Sequence, residues 1–324
     1  MPVGLLALGT YVPSKVLTNE DLASFLDTSD EWITSRTGIK ERRIAEINEF
    51  AYDLAVKAVE DLLARHGEAA LEGVDQVVVA TNAPDAFFPN TAALVQNHFG
   101  LNAAAYDLLA GCPGWLYALA QATGQVQMGL ARKVLVIGAE VLSKITDWRD
   151  RSTAVLFGDG AGAAIVGPVP EGFGFRSFVL GADGSGGGAL HMGALASSLP
   201  GGVRTGRTIY MNGREVFKFA VRVMDTATIE AIEKAGLKKE DISLFVPHQA
   251  NLRIVDAARA RLGLDWERVI VNLHKYGNTS TASIPIALKE ALEAGKVHSG
   301  DHLLFVSFGA GLTWAAAVHT WYEA

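Results

Sequence analysis

Cys112 is the only cysteine in 324 residues, and its neighbours suit a nucleophile. It stands in Leu108-Leu109-Ala110-Gly111-Cys112-Pro113-Gly114-Trp115, ahead of the helix-like run Leu116-Tyr117-Ala118-Leu119-Ala120. Proline fits the first turn of a helix, where its missing N–H costs nothing. The sulfur is therefore expected at a helix N-terminus, where unpaired amides and the helix dipole favour a thiolate and lower its pKa. The plainer reading is a buried structural thiol. Among the eight histidines, His248 stands out because it directly follows the apolar strand Ile242–Val246, in Pro247-His248-Gln249-Ala250-Asn251. Ligands and catalytic groups collect at the carboxyl ends of such strands. His274 competes, but its neighbours Lys275 and Tyr276 predict exposure. Asn278 follows Gly277 and heads Thr279-Ser280-Thr281-Ala282-Ser283-Ile284-Pro285, which runs into another helix; as a turn residue it would be ordinary. Cys, His and Asn in that order serve two chemistries. One is hydrolysis, with Asn orienting the imidazole. The other is acyl transfer to cysteine followed by carbon–carbon bond formation, with His and Asn donating to an enolate oxygen. Residue type alone leaves both open.

The elements that must position these residues alternate between short apolar strands and amphipathic helices. Val77–Ala80, Val134–Ile137, Leu244–Val246 and Leu303–Val306 read as strands buried on both faces. Tyr52–Arg65 and Phe219–Ala235 read as helices, ending near Gly67 and Gly236. This pattern predicts an α/β fold with mixed or mostly parallel sheets. The two halves also rhyme: Asp159-Gly160-Ala161-Gly162-Ala163-Ala164-Ile165-Val166 resembles Phe308-Gly309-Ala310-Gly311 with Ala315-Ala316-Ala317-Val318. Val78–Ala83 is likewise echoed by Phe245–Ala250. A duplicated α/β unit explains both pairs, with residues 1–170 as the cysteine-bearing half and 171–324 as the half bearing His and Asn. Gly158-x-Gly160-x-Gly162, after Val155-Leu156-Phe157, reads as a tight turn between strands rather than a nucleotide loop. Gly181–Arg207 is glycine-rich without a clear period and reads as a long loop.

Composition narrows the function. A 49% hydrophobic fraction with 34 glycines describes a well-packed globular chain. One cysteine makes no internal disulfide, which fits a reducing cytoplasm. Met1–Leu6 carries no basic region and reads as a strand rather than a signal peptide, and no apolar run approaches the roughly 20 residues of a membrane span. A net charge of −7 argues against nucleic acid as a partner. Against that acidity, Arg214, Lys218 and Arg222 recur at helical spacing, as do Arg253 and Arg261.

Taken together, the motifs resemble β-ketoacyl-[acyl-carrier-protein] synthase III, an initiating condensing enzyme of the thiolase superfamily. The resemblance runs nearly end to end, through Asp30-Glu31-Trp32-Ile33, Arg36-Thr37-Gly38-Ile39, Arg42-Arg43, the Cys112 elbow and Phe157-Gly158-Asp159-Gly160-Ala161. It continues through Pro247–Asn251, Tyr276–Ser280 and Phe308-Gly309-Ala310-Gly311-Leu312-Thr313-Trp314. It implies a five-layered αβαβα fold of two βαβαβαββ halves. Cys112 would take a short acyl group from acyl-coenzyme A, and His248 and Asn278 would promote decarboxylative condensation with malonyl-acyl-carrier protein. The oxyanion hole would be the backbone of Cys112 and Ala310. Coenzyme A would lie along Thr28, Trp32, Arg36, Arg151, Phe217 and Asn251, with Trp32 and Arg151 sandwiching the adenine. Phe87 would cap the acyl pocket across a homodimer, and Lys218, Arg253 and Arg261 would dock the carrier. No metal or redox cofactor is implied. Two departures stand out: Gly111-Cys112-Pro113-Gly114-Trp115 replaces the usual Ala-Cys-x-Gly-Phe, and Ala310 stands where many relatives have glycine, so a positive φ there would be strained. The rivals are a cysteine thioester hydrolase and a non-catalytic acyl-binding scaffold. A thiolase would need a second cysteine, and the elongating synthases a second histidine.

Overall fold

The computed structural model describes residues 1–323. Two sheets carry the architecture. The first has five strands in the order Val3–Tyr11, Gly160–Pro168, Lys133–Glu140, Val74–Ala80 and Ala104–Leu108. The second has four, ordered Gly174–Ala182, Thr313–Thr320, His302–Gly309 and Leu244–Pro247. Laid side by side, the two have the same pairing sense at every step: antiparallel, antiparallel, then parallel. The first sheet's fifth strand pairs in parallel with Val74–Ala80. Its counterpart in the second sheet shrinks to a single parallel bridge, Phe245 with Val269. The internal echo read from glycine-rich motifs is thus a duplicated topology.

Side-chain alternation explains why the strands read as continuous apolar runs. Val77 and Val79 face an outer helical layer with Leu54, Ala58 and Leu62 of helix Ala51–His66. Val78 faces inward, where Trp115, Leu116 and Leu119 of helix Gly114–Gln127 pack with Ile284, Ala287 and Leu288 of helix Ser283–Glu293. Leu303 and Phe305 of the second sheet meet the same inner layer. Leu304 and Val306 face outward to helices Gly213–Lys234 and Leu252–Leu262. The layers are therefore helix, sheet, helix, sheet, helix. The two inner helices are the ones that begin just after Cys112 and just after Asn278.

Three expectations need correction. Val155–Phe157 is not a strand before a hairpin turn; it follows the short helix Arg151–Ala154. The glycines beyond it serve close approach: a Cβ on Gly162 would lie 2.4 Å from the Pro285 ring, and one on Gly158 would lie 2.2 Å from the Tyr276 carbonyl. Gly181–Arg207 is not a plain loop, since the strand continues to Ala182 and a 3-10 turn covers Gly184–Ala189. Leu190–His191 then pairs with Tyr210–Met211. Finally, the helix expected from Phe219 begins at Gly213, capped by the Asn212 side chain. The apolar stripe alone missed that polar first turn. No helix among the described residues is long and apolar enough to cross a membrane.

Candidate active site

Cys112 lies in the link between strand Ala104–Leu108 and helix Gly114–Gln127, with Pro113 one residue before the helix. Gly111 adopts φ 66°, and a Cβ there would meet the Ala310 carbonyl at 2.5 Å and its nitrogen at 2.9 Å. A Cβ on Gly309 would lie 2.6 Å from the Cys112 nitrogen and 3.1 Å from its sulfur. The nucleophile loop and the closing turn of the second sheet therefore touch backbone to backbone, which brings the amides of Cys112 and Ala310 side by side. The Thr313 hydroxyl, within 2.7 Å of the Ala110 carbonyl and 2.8 Å of the Ala310 carbonyl, ties the two together. Ala310 itself is not in the left-handed region; Gly311 takes the positive φ, so the departure from glycine costs no strain.

The thiol does not behave as its helix-terminal position suggested. Burial pushes Cys112 up to about 12, while the Ser280 hydroxyl and its own backbone N–H pull it down and the Glu140 carboxylate pushes it further up. A helix N-terminus contributes about 0.3–1 kcal/mol, less than one tenfold step in acidity at about 1.4 kcal/mol. Desolvation wins, and the resting sulfur is a thiol.

His248 leaves strand Leu244–Pro247 with its N–H still bonded to the Val306 carbonyl at 2.8 Å. Gln249 fixes the turn, donating to the Pro247 and Ile270 carbonyls and accepting from the Asn272 N–H. His248 Nδ1 is 2.6 Å from the Ser283 hydroxyl, which also accepts the Gln249 N–H at 3.5 Å. With its oxygen turned to the Gln249 N–H, the Ser283 hydroxyl can give its proton to Nδ1, and in that tautomer the imidazole proton sits on Nε2. Burial pushes His248 down to about 3, so the ring is neutral near neutrality. Nε2 is buried with no protein partner. In the Nε2-protonated tautomer it is a free donor in the crevice.

Asn278 is clamped by its backbone, donating to the Leu156 carbonyl at 2.8 Å and accepting from Gly158 N–H at 3.0 Å. Gly277, at φ 64°, leaves no room for a Cβ, which would lie 2.7 Å from the Leu156 carbonyl. The Asn278 Oδ1 accepts the Ser280 N–H at 2.9 Å, so its NH2 is left to donate. One short segment thus serves all three residues: it contains Asn278, touches Cys112 through Ser280 and holds His248 through Ser283. Sequence reasoning quoted Ser280 and Ser283 within motifs without giving them roles. It missed Glu140, which has no local signature at the end of an apolar strand. His274 is exposed, as expected.

The expected coenzyme A residues form a connected path. The Arg36 and Arg151 guanidinium carbons lie 4.4 and 4.6 Å from the Trp32 ring centre. Arg151 also donates to the carbonyl of Asp27, the neighbour of Thr28. Asn251 donates to the Arg36 carbonyl at 3.0 Å and caps the helix at Arg253, whose guanidinium lies 5.6 Å from the Phe217 ring. Trp32 and Arg151 are in contact here, so an adenine would have to part them. Of the basic residues, Lys218 pairs with Glu215 at 3.2 Å and Arg261 with Asp225 at 3.1 Å. Phe87, Phe88 and Leu109 are exposed, and Leu109 directly follows the edge strand Ala104–Leu108.

Known proteins are similar to this chain over nearly its whole length. The profile of 3-oxoacyl-[acyl-carrier-protein] synthase III matches residues 106–184, and that of its C-terminal region matches 232–321. The β-ketoacyl-[acyl-carrier-protein] synthase III of Caldanaerobacter subterraneus is 54% identical over 323 residues, covering 98% of this chain and 97% of that protein. The Deinococcus deserti protein of the same name is 51% identical, covering 99% of this chain and 92% of that one. The crystal structure of the Thermus thermophilus synthase III superposes with a TM-score of 0.98 at 71% identity, covering 99% of this chain and 100% of that one. With the fold, the Cys–His–Asn crevice and these relatives in agreement, the chain belongs to the β-ketoacyl-[acyl-carrier-protein] synthase III family.

Proposed function

We propose that Cys112 takes a short acyl group from acyl-coenzyme A and passes it to malonyl-acyl-carrier protein, giving β-ketoacyl-carrier protein and carbon dioxide. In the first half-reaction the sulfur attacks the thioester carbonyl, the amides of Cys112 and Ala310 hold the oxyanion, and coenzyme A leaves as its thiol. In the second, loss of carbon dioxide leaves an enolate, whose oxygen receives hydrogen bonds from His248 Nε2–H and the Asn278 NH2. The enolate carbon then attacks the acyl-cysteine carbonyl, the bond from that carbon to the Cys112 sulfur breaks, and the released sulfur takes up a proton to restore the thiol. Each step moves an acyl group, carbon dioxide or a proton, so the cycle calls for no metal or redox cofactor. A cytoplasmic setting suits a lone thiol that must stay reduced.

The observation that carries this reading is the assignment of partners around His248. In a Cys–His–Asn hydrolase the Asn orients the imidazole; here Ser283 does so, and Asn278 turns its oxygen to Ser280. Both side chains are left as donors, which suits an enolate and not a base. Mass spectrometry after incubation with a panel of acyl-coenzyme A species tests it. We expect a stable acyl-Cys112 and one equivalent of free coenzyme A until malonyl-carrier is added. Steady thioester turnover in water alone would establish the hydrolase instead, and failure of Cys112 to acylate would establish the scaffold.

Carrier docking falls to Lys218, Arg253 and Arg261. The ion pairs of Lys218 and Arg261 are exposed and worth only about 0–1 kcal/mol, so an acidic carrier can replace their partners. Lys218→Glu is expected to raise the KM for malonyl-carrier several-fold, with the effect shrinking as salt rises. Acylation by acyl-coenzyme A should change little in Lys218→Glu and more in Arg253→Glu, because Arg253 lies on Phe217. Carrier kinetics across a salt series check both.

The exposed Phe87, Phe88 and Leu109 and the unpaired edge strand support a homodimer, since an open sheet edge with apolar neighbours invites a second copy. Phe87 then caps the partner's acyl pocket. Phe87→Ala is expected to remain dimeric and to admit longer primers, with a gain of about 1–3 kcal/mol per accommodated methylene at most. Competition between acetyl- and longer acyl-coenzyme A measures the shift; an unaltered preference returns Phe87 to interface packing.

A further inference from the structure

We infer that Asn82, gripped by the buried Glu140 carboxylate, is a positioning residue for the decarboxylation step: it holds Ser280 in the backbone conformation that leaves the Asn278 NH2 free to donate. The inference rests on the function proposed above and deepens its second half-reaction. Asn82 lies two residues beyond strand Val74–Ala80, and Glu140 ends the neighbouring parallel strand Lys133–Glu140. The Glu140 carboxylate accepts the Asn82 backbone N–H at 3.1 Å and the Asn82 side-chain amide at 2.6 Å. Two bonds to one residue fix its backbone and its side chain together, so the second proton of that amide has a set direction. It goes to the Ser280 oxygen, 3.1 Å away. Glu140 also accepts the hydroxyl of the next residue, Thr281, at 3.0 Å. The backbone of its strand bears on the same segment: a Cβ on Gly138 would lie 2.6 Å from the Thr281 carbonyl. All the donors to this fully buried carboxylate are neutral, and a buried charge held only by neutral groups is costly to keep. Its use is that a carboxylate only accepts, whereas an amide in its place would set a donor against an Asn82 N–H.

Ser280 is the residue that needs such support. It is the only non-glycine residue at positive φ among the described residues, at 49°, a region that L-residues seldom visit. Backbone strain of this kind concentrates at functional sites and persists only where the surroundings over-determine it. In that conformation the Ser280 N–H meets the Asn278 Oδ1 at 2.9 Å, and this bond decides which end of the Asn278 amide faces the crevice. Relaxation of Ser280 to a negative φ would rotate its peptide within the turn and take the N–H off Oδ1. The amide could then turn over and present its oxygen to the enolate oxygen, acceptor against anion. One chain of bonds thus crosses from the first half of the molecule to the second, from Glu140 through Asn82 and Ser280 to Asn278. Asn82 also opens the segment that carries Phe87, whose other anchor is Asp85, accepting the Tyr52 N–H at 3.0 Å.

The two half-reactions of the full-length protein test the assignment. Asn82→Ala is expected to slow carbon dioxide release from malonyl-carrier protein roughly tenfold, less than the roughly 10²–10³-fold that loss of a direct donor costs. Self-acylation of Cys112 by acetyl-coenzyme A should change little in that variant. Ser280→Gly keeps the positive φ accessible and removes the oxygen that Asn82 reaches. It should slow carbon dioxide release to a similar extent, and it carries the test where Asn82→Ala does not fold. The double variant should be no slower than the slower single one, because both remove one interaction. A readout that needs no substrate is the Asn278 side-chain amide in nitrogen-15 NMR, assigned by its loss in Asn278→Ala. It should give one sharp pair of signals in the native protein, shifted or exchange-broadened in Asn82→Ala and Ser280→Gly. Equal losses of both half-reactions in Asn82→Ala, additive losses in the double variant, or unchanged amide signals overturn the proposal. A shifted primer preference with carbon dioxide release intact also overturns it, and leaves Asn82 as an anchor of the Phe87 segment only. If the native protein released no carbon dioxide from malonyl-carrier, the functional reading would fail, and the amide signals alone would uphold or overturn the positioning.

Discussion

Cys112→Ser is expected to abolish acyl transfer while still decarboxylating malonyl-carrier protein, and His248→Ala or Asn278→Ala to do the reverse. The reason is how the crevice divides its work. The sulfur is needed only to form and surrender the acyl thioester, and a serine hydroxyl, far harder to ionise, cannot replace it in a buried setting that already pushes the thiol up to about 12. A loss of about 10³-fold or more in self-acylation is expected, within the range set by positioned acid–base and nucleophilic groups. Decarboxylation needs donors on the developing enolate, and these are His248 Nε2–H and the Asn278 amide. Removing one donor of this type costs roughly 10²–10³-fold. Acyl-enzyme formation by mass spectrometry and carbon dioxide release from malonyl-carrier separate the two half-reactions. Equal losses of both in Cys112→Ser and in His248→Ala would show that the residues act as one unit.

Much of the site is legible in the chain for a physical reason. Cys112, His248 and Asn278 each follow a strand or turn whose pattern is local, and the strands are apolar on both faces because helices cover both. What the chain conceals is long-range. Glu140 looks like the polar end of a strand until Ser280 and Thr281, some 140 residues on, fold against it. The thiol's acidity misleads for the same reason: the helix terminus is a local feature, whereas the burial that outweighs it comes from segments distant in the chain, Gly309 among them, with the Glu140 charge adding to it. Gly158, Gly160 and Gly162 imitate a hairpin turn because the Tyr276, Ile286 and Pro285 groups they accommodate lie more than 100 residues away.

Ser283→Ala is expected to slow decarboxylation about tenfold while leaving acylation of Cys112 nearly intact. Ser283 lies at the start of helix Ser283–Glu293, and its hydroxyl is the one group in hydrogen-bond contact with His248 Nδ1 among the described residues. With Gln249 donating to its oxygen, it presents its proton to Nδ1 and so keeps the imidazole proton on Nε2, where the enolate forms. Alanine leaves Nδ1 buried and unsatisfied, at a cost of about 1–3 kcal/mol. The ring escapes that cost partly by populating the other tautomer or by rotating, and either change removes the donor from the crevice. A tenfold loss corresponds to about 1.4 kcal/mol, the lower part of that range. The effect should fall on kcat for decarboxylation and not on the KM for malonyl-carrier, because Ser283 is buried and acts through His248. Ser283→Thr, which restores a hydroxyl at the same atom, should recover most of the rate. Nitrogen chemical shifts of His248 give the decisive readout, since a purely structural defect would not exchange the proton between Nδ1 and Nε2. Unchanged tautomer signals in Ser283→Ala would mean that strand Leu244–Pro247 and Phe308 orient the ring without help from the serine.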